Sequence, residues 1–237
     1  MKKFSKITIK FYLNENIVAG SDQDNRPLYP LYILIIYKRG NTKIKSNYGL
    51  FYTSLDEVNS LSPGLMAFEE KSITKLIEYE ASQEGGEDFT LQGIREKYSV
   101  YSTSISSAIE KYLKTRLKKE IMSIKGDMKT VLKLEPDDAF VKAMTLYQAA
   151  QQLFEGFTDS IPADLVTELK AYEKYLLLYP RPHFKYDFPT VLDWVNGEFR
   201  TKLDQGYENA FSKKDKDLKS IYLLIEKAIN MILKEAN

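Results

Sequence analysis

Five of the nine cationic side chains within the first 45 residues fall on strand-like segments and the turn that joins two of them, and their chemistry suits contact with a polyanion. They are Lys10, Lys38, Arg39, Lys43 and Lys45. A Lys ammonium acts as a point charge beside a phosphate, whereas the planar Arg guanidinium can form two parallel hydrogen bonds to a phosphate or a guanine. We therefore expect Arg39 to read bases and the lysines to bind phosphates. The alternative is a solvated, Lys-rich strand edge that discourages aggregation.

The formal charge of the whole chain is only +1, so the distribution of charge carries the information. Residues 1–50 carry nine Lys and Arg against three Asp and Glu, and residues 51–95 carry three against nine. Residues 96–126 return to seven against three. Basic, acidic and basic segments in succession are typical of a protein that binds a polyanion with selected surfaces.

A second group of cations falls on segments with helical periodicity. Its members are Lys114, Arg116, Lys118, Lys119, Lys216 and Lys219, with Lys111, Lys213 and Lys214 beside them. We expect them to contact a second site on the same polyanion. Long amphipathic helices often carry such charge for solubility alone, so this group is less specific than the first.

Other site chemistries find little support in the composition. The chain has no Cys and a single His, His183, so disulfides and thiolate chemistry are excluded and a zinc site is not expected. Asp137 and Asp138 follow Pro136 and are explained by capping of a helix N-terminus. We predict no metal, no cofactor and no small-molecule substrate.

The basic residues of the first group require a β-sheet to position them. Residues 7–13 and 31–37 have strand-like patterns, the turn residues 39–41 follow, and residues 42–48 alternate again. The period of two places Ile7, Ile9, Phe11 and Leu13 on one face of the sheet. A three-stranded sheet with an apolar face and a Lys-and-Tyr face results.

Helical periodicity dominates the remaining chain. We predict helices over residues 68–80, 90–98, 104–125, 136–154, 161–177, 189–203 and 216–234. The fold class is therefore α+β, with a small three-stranded antiparallel sheet head and its helix followed by an all-helical body. We divide the chain into a β domain at 1–66, a helical linker at 67–100 and a helical domain at 101–237 with an insertion around 181–215.

Three stretches, in order, resemble the non-catalytic half of a phage-integrase-type tyrosine recombinase, as found in mobile elements of Bacteroidetes-like bacteria. KITIKFYL with LYPLYILIIYKRGNTKIKSNYGLFYTSLDEV is similar to the arm-type DNA-binding domain. TLYQAAQQLFEGFTDSIPADLVTELKAYEKYLL resembles the SAM-like core-binding domain, and DLKSIYLLIEKAINMILKEAN resembles the last helix of that domain. The motifs consist mostly of hydrophobic spacing, and their shared order carries the likeness.

The resemblance implies a protein that binds duplex DNA through a basic sheet and a helical clamp, with a role in DNA integration and recombination. A second copy of the chain or a full-length recombinase would be a further partner. The three stretches do not include the family's catalytic domain, which needs a nucleophilic Tyr, phosphate-neutralising arginines and a general acid and base. The only His here is His183, and no chain remains after Asn237 in which to place the rest. We therefore expect no enzymatic activity.

Two departures from the family pattern point to an alternative. The middle strand has Tyr32, Leu34 and Ile36 in its DNA-facing row, where family members often have Arg or another polar residue. The connection from Arg181 to Asp215 is also longer than usual. A non-catalytic structural or protein-interaction module would instead cover the apolar row with a partner and would have no affinity for DNA.

The N-terminus alternates polar and apolar residues, so it lacks the continuous apolar core of a signal peptide. No run of residues approaches the roughly 18 apolar positions that a membrane-spanning helix needs. We expect a cytoplasmic protein without a membrane partner.

Overall fold

The computed structural model describes residues 6–83, 89–125, 161–179, 186–211 and 217–235. The chain divides into two compact units. The first unit is Met1–Ser102 with Pro182–Phe188, and the second is Thr103–Arg181 with Pro189–Asn237. The predicted α+β class is confirmed, since the described residues form one antiparallel five-stranded sheet and eight helices.

A long central strand organises the sheet of the first unit. The strands are β1 (Ile7–Leu13), β2 (Gly20–Ser21), β3 (Pro27–Tyr37), β4 (Gly40–Lys45) and β5 (Phe51–Tyr52). The second half of β3 pairs with β1 and β4, which are the three predicted strands, and its first half pairs with β2 and β5. The predicted three-stranded sheet is therefore present within a larger one.

The side-chain alternation of the predicted strands also appears in the structure. On β3, Leu31, Ile33, Ile35 and Tyr37 are buried, and Ile44 on β4 is buried beside them. Because successive side chains of a strand point to opposite faces, the residues between them lie on the other side of the sheet. That opposite side carries the cations.

The hairpin turn differs from the expectation. The sequence predicts a turn at residues 39–41, but Tyr37 pairs with Gly40 and Ile36 with Asn41, so the turn consists of Lys38 and Arg39. Lys38 has a φ of +54°, a conformation that L-amino acids adopt at a cost. The buried pair Ile33 and Ile44 fixes the register and with it the position of the turn.

Three helices complete the first unit: α1 (Leu55–Leu61), α2 (Leu65–Ser82) and α3 (Ile94–Tyr101). The sequence predicts a linker at 67–100, whereas the structure places α2 and α3 inside the first compact unit. Ile73, Ile77 and Ile94 are fully or almost fully buried there. The apolar stripes of these helices thus belong to the core of the first unit.

A buried carboxylate ties the sheet to these helices. Glu69 of α2 has no exposed surface, and one of its oxygens, Oε1, accepts hydrogen bonds from Ser46 Oγ at 2.9 Å, Asn47 N at 2.9 Å and Tyr98 Oη at 3.1 Å. Burial raises the pKa of Glu69 although these donors act in the opposite direction. The end of β4 is therefore held against both α2 and α3.

Aromatic residues from a distant part of the sequence also pack in the first unit. The rings of Phe68 and Phe188 have centroids 4.8 Å apart, and Tyr48 packs on both of them and on Tyr186. Residues 186–188 fall within the insertion predicted around 181–215. Part of that insertion therefore contributes to the core of the first unit.

The second unit is helical: α4 (Ile105–Lys125), α5 (Ala163–Leu178), α6 (Val191–Val195), α7 (Glu198–Ala210) and α8 (Leu218–Glu235). Residues 189–203 form parts of two helices rather than the predicted single one, because Gly197 adopts a φ of +83° that interrupts the helical backbone. The helix predicted over 136–154 lies outside the described residues. None of the described helices is both long enough and apolar enough to cross a membrane.

Candidate nucleic-acid interface

The exposed side of the β1–β3–β4 sheet presents an ordered grid of side chains, which we call the outer face. The strand registers set three rows: Thr8, Ile36 and Asn41; Lys10, Leu34 and Lys43; Tyr12, Tyr32 and Lys45. The central strand is thus apolar and aromatic, and cations lie on the strands to both sides of it. No carboxylate occurs at these nine positions.

The lysines of the outer face form no salt bridge in the part of the chain that the structure describes. They are Lys10, Lys43 and Lys45; Lys43 Nζ lies 5.8 Å from the centre of the Tyr12 ring and Lys45 Nζ lies 5.3 Å from that of Phe51. All three lysines are exposed. Cation–π contacts orient an ammonium without neutralising it, so these charges remain available to an external anion.

Two tyrosines form one end of the grid. The ring centroids of Tyr12 and Tyr32 are 5.9 Å apart, and both side chains are partly buried. Burial and the neighbouring Tyr32 raise the pKa of Tyr12 further above neutral pH. The protonated hydroxyl of Tyr12 can donate a hydrogen bond, as that of any tyrosine can.

Leu34 and Ile36 continue the central strand beyond Tyr32, and both are partly exposed. These are the apolar residues of the middle strand that the sequence showed as a departure from the pattern of the resembled family. In the structure they lie between strands β1 and β4, which carry the lysines. Leu34 and Ile36 have no side-chain donor or acceptor, so these two positions of the central strand cannot form side-chain hydrogen bonds. Leu34 and Ile36 can make apolar contacts at the centre of the outer face, and the lysines on β1 and β4 can bind an anion at its two sides.

The turn cations lie at one end of the hairpin. Lys38 and Arg39 are both exposed, and Lys38 Nζ is 5.4 Å from the centre of the Tyr37 ring. Lys38 and Arg39 connect the paired residues Tyr37 and Gly40, and the next pair along the hairpin is Ile36 with Asn41. The turn cations therefore lie next to the row of Thr8, Ile36 and Asn41. All five cations predicted for the first site are therefore in the same hairpin or on the strand beside it.

The cations predicted for the second unit are arranged differently. Arg116 donates to Glu168 Oε2 at 2.7 Å and to Asp164 Oδ2 at 3.1 Å, and only 22% of its side chain is exposed. Partial burial would lower the pKa of Arg116, but the charge of Glu168 and the hydrogen bonds raise it above its ordinary value. Arg116 is thus engaged inside the second unit rather than presented to a ligand.

Sequence reasoning missed Glu168 itself. This residue is 7% exposed, and its Oε1 accepts hydrogen bonds from Lys227 Nζ at 2.8 Å and Tyr112 Oη at 3.1 Å. The hydrogen bond to Glu168 raises the pKa of Lys227. A signal existed, because Glu168 falls in the apolar stripe of Leu165 and Tyr172, where a charge requires partners.

The other predicted helical cations have mixed surroundings. Lys114 lies 3.7 Å from Glu110, and Lys111 pairs with Glu235. Lys119 and Lys219 are exposed, Lys118 is partly buried, and Lys216 lies outside the described residues together with Lys213 and Lys214. The structure therefore does not gather this group into a single uncompensated patch.

A cavity of about 180 Å³ lies beside the Glu168 ion pairs, lined by Asp164, Thr167, Ser220, Leu224 and Lys227 among others. No group of three or more His, Cys, Asp or Glu that could hold a metal occurs among the described residues. His183, Asp137 and Asp138 lie outside those residues.

Comparison with models of protein families, with curated proteins and with solved structures finds no match for this chain.

Proposed function

We propose that this chain is the DNA-binding portion, or a truncated relative, of a site-specific tyrosine recombinase, acting in the cytoplasm without a catalytic step of its own. The observation that carries the proposal is the outer face. Its lysines flank the central strand on both sides, have no carboxylate within the grid, and form no salt bridge among the described residues.

The dimensions of the sheet suit the major groove of duplex DNA. Three strands about 4.8 Å apart span about 10 Å, and the groove is about 12 Å wide. In that position the lysines on β1 and β4 face the phosphates on the two sides of the groove. The turn brings Arg39 to the end of the sheet, where a guanine or a further phosphate can be bound.

The helical unit supplies a weaker second contact in this proposal. Among the described residues, Lys119 and Lys219 are exposed and form no salt bridge, whereas Lys111 pairs with Glu235 and Arg116 is held by Glu168 and Asp164. We therefore assign most of the affinity to the sheet. Any clamp formed by the helices would add charge without base readout.

The test is a fluorescence-anisotropy titration of mixed-sequence duplex DNA with the wild type and with Lys43→Gln/Lys45→Gln, at about 50 to 200 mM salt. Each lost phosphate contact reduces the slope of log K against log salt by about 0.9, so the double variant should lose about 1.8. A matched control is Lys71→Gln/Lys202→Gln, which removes two exposed lysines outside the outer face and should leave the slope unchanged. Equal slopes in all three proteins would contradict the proposal.

A protein-interaction module is the second candidate, favoured by the partly exposed Leu34 and Ile36. It predicts that a second copy or another protein covers the central strand. Sedimentation equilibrium would then show a stable oligomer that Leu34→Lys dissociates, and the anisotropy titration would show no binding at about 50 mM salt.

A further inference from the structure

We infer that the outer face selects A·T base pairs by contact of Leu34 and Ile36 with the C5-methyl groups of thymine. This inference rests on the proposed function, because it assumes that the outer face enters the major groove. It concerns which base pairs are preferred there, and the lysines do not determine that preference.

Two neighbouring outward positions of the central strand are apolar. Leu34 and Ile36 offer no donor or acceptor, and the registers place them in the middle of the grid with Lys10, Lys43 and Asn41 on either side. A polar base edge pressed against these side chains would lose its hydrogen bonds to water without replacement. The thymine methyl is the apolar group that the major groove presents.

The spacing of the two side chains fits base pairs that are two steps apart. Residues two apart on one face of a strand are separated by about 6.8 Å, and base pairs repeat every 3.4 Å along each strand of DNA. Leu34 and Ile36 therefore span a distance of about two base-pair steps. A short run of A·T pairs can supply methyl groups over that distance.

A polar neighbour favours the same base pairs. Asn41 lies opposite Ile36 in the same row, is exposed, and forms no side-chain hydrogen bond among the described residues. The Asn amide can bind adenine N6 and N7 in a bidentate manner. Ile36 against a thymine methyl and Asn41 against an adenine would both select A·T pairs.

The experiment compares an A·T-rich duplex with the same duplex carrying uracil in place of thymine, by anisotropy at about 100 mM salt. This exchange removes only the methyl groups. We expect the uracil duplex to bind about fourfold more weakly for each methyl that is contacted. A second pair, a G·C-rich duplex with cytosine or with 5-methylcytosine, restores the methyl at the equivalent position and should show tighter binding of the methylated form.

Variants assign the effect to the two side chains. Leu34→Ala/Ile36→Ala should bring the ratio of thymine to uracil affinities close to one, and Val18→Ala/Leu61→Ala, which truncates two exposed apolar residues outside the grid, should retain the wild-type ratio. Salt-dependent binding of the wild type with equal affinity for both duplexes would overturn the inference and leave the proposed function standing. Absence of binding to all duplexes would overturn both.

Discussion

The cations of the two units have opposite surroundings. On the outer face, Lys10, Lys43 and Lys45 have no anionic partner within the described residues. In the second unit, Arg116 and Lys227 converge on the buried carboxylate of Glu168. Basic residues that look alike in the sequence thus have two different environments. The position of the carboxylates decides which basic residues are neutralised in an ion pair.

The difference has an energetic basis. A buried carboxylate loses its hydration and needs donors nearby, so cations near Glu168 are consumed in satisfying it. An exposed lysine on a sheet retains its hydration and carries a charge that can displace counterions from DNA. Loss of the first kind of cation should affect stability, and loss of the second should affect binding.

The largest effect is expected from Glu168→Gln. The substitution removes the one buried charge, while Arg116 and Lys227 stay partly exposed and lose charge-assisted hydrogen bonds to Glu168, which should lower the unfolding free energy by about 2 kcal/mol. Urea denaturation of the wild type and the variant measures this loss of unfolding free energy. Glu235→Gln is the control, since it breaks the exposed pair with Lys111 and should cost at most about 0.5 kcal/mol. Equal losses in the two variants would show that burial does not distinguish these pairs.

The next prediction sets one unit against the other in DNA binding. Lys43→Gln/Lys45→Gln should lower DNA affinity by about tenfold or more at 100 mM salt, because two phosphate contacts are lost, and should leave unfolding unchanged. Arg116→Gln should do the reverse, lowering stability while the affinity of the folded protein stays within about twofold of wild type. Anisotropy and urea denaturation on the same samples measure both properties. A loss of stability in the lysine variant, or a large loss of affinity in Arg116→Gln, would contradict the prediction.

A smaller effect concerns pH and the other buried carboxylate. Because the pKa of Glu69 is raised in the folded state, the native protein binds more protons than the unfolded chain between the two pKa values. Stability from this group is therefore present at acid pH and declines as pH rises through the folded-state pKa, by about 1.4 kcal/mol for each pKa unit of difference.

Glu69→Gln should remove this component, so the stability difference between wild type and variant should shift in favour of the variant from pH 4 to pH 8. Denaturation curves across that range, with Glu70→Gln as an exposed neighbouring control, measure the change. A wild-type advantage that grows with pH would show that Glu69 is stabilised as an anion.

The smallest effect is expected at the hairpin turn. Lys38 has a φ of +54°, so Lys38→Gly should relieve strain and raise the unfolding free energy by about 1 kcal/mol while removing one charge. DNA affinity should fall slightly as stability rises, which separates the two properties at one position. Thermal melting with Arg39→Gly, whose φ is not positive, serves as the comparison and should show destabilisation.

Much of the first unit follows from local pattern. The span 7–13 agrees with β1, and the period of two placed Ile44 on the buried face and Lys43 and Lys45 on the exposed one. The turn was placed wrongly, because Gly40 and Asn41 have turn chemistry but the register of Ile33 with Ile44 moves the turn to Lys38 and Arg39. Long-range pairing outweighed the local preference.

In the second unit, side-chain periodicity predicted the positions of helices but not the ion pairs between them. The amphipathic stripes located α4, α5 and α8 to within about two residues of their ends. They also made Arg116 an exposed cation of the predicted DNA contact, since nothing local reveals that a carboxylate 52 residues away will meet it. The Gly197 break divided a segment that periodicity alone joined.

The sequence by itself determined the α+β class, the alternation that puts lysines on one side of the sheet, and the helical stripes of the second unit, because each depends on side-chain periodicity within one element. Tertiary structure alone decided which cations are neutralised. That outcome depends on where carboxylates such as Glu168 come to lie after distant helices pack together, and the desolvation of a buried charge makes the pairing obligatory.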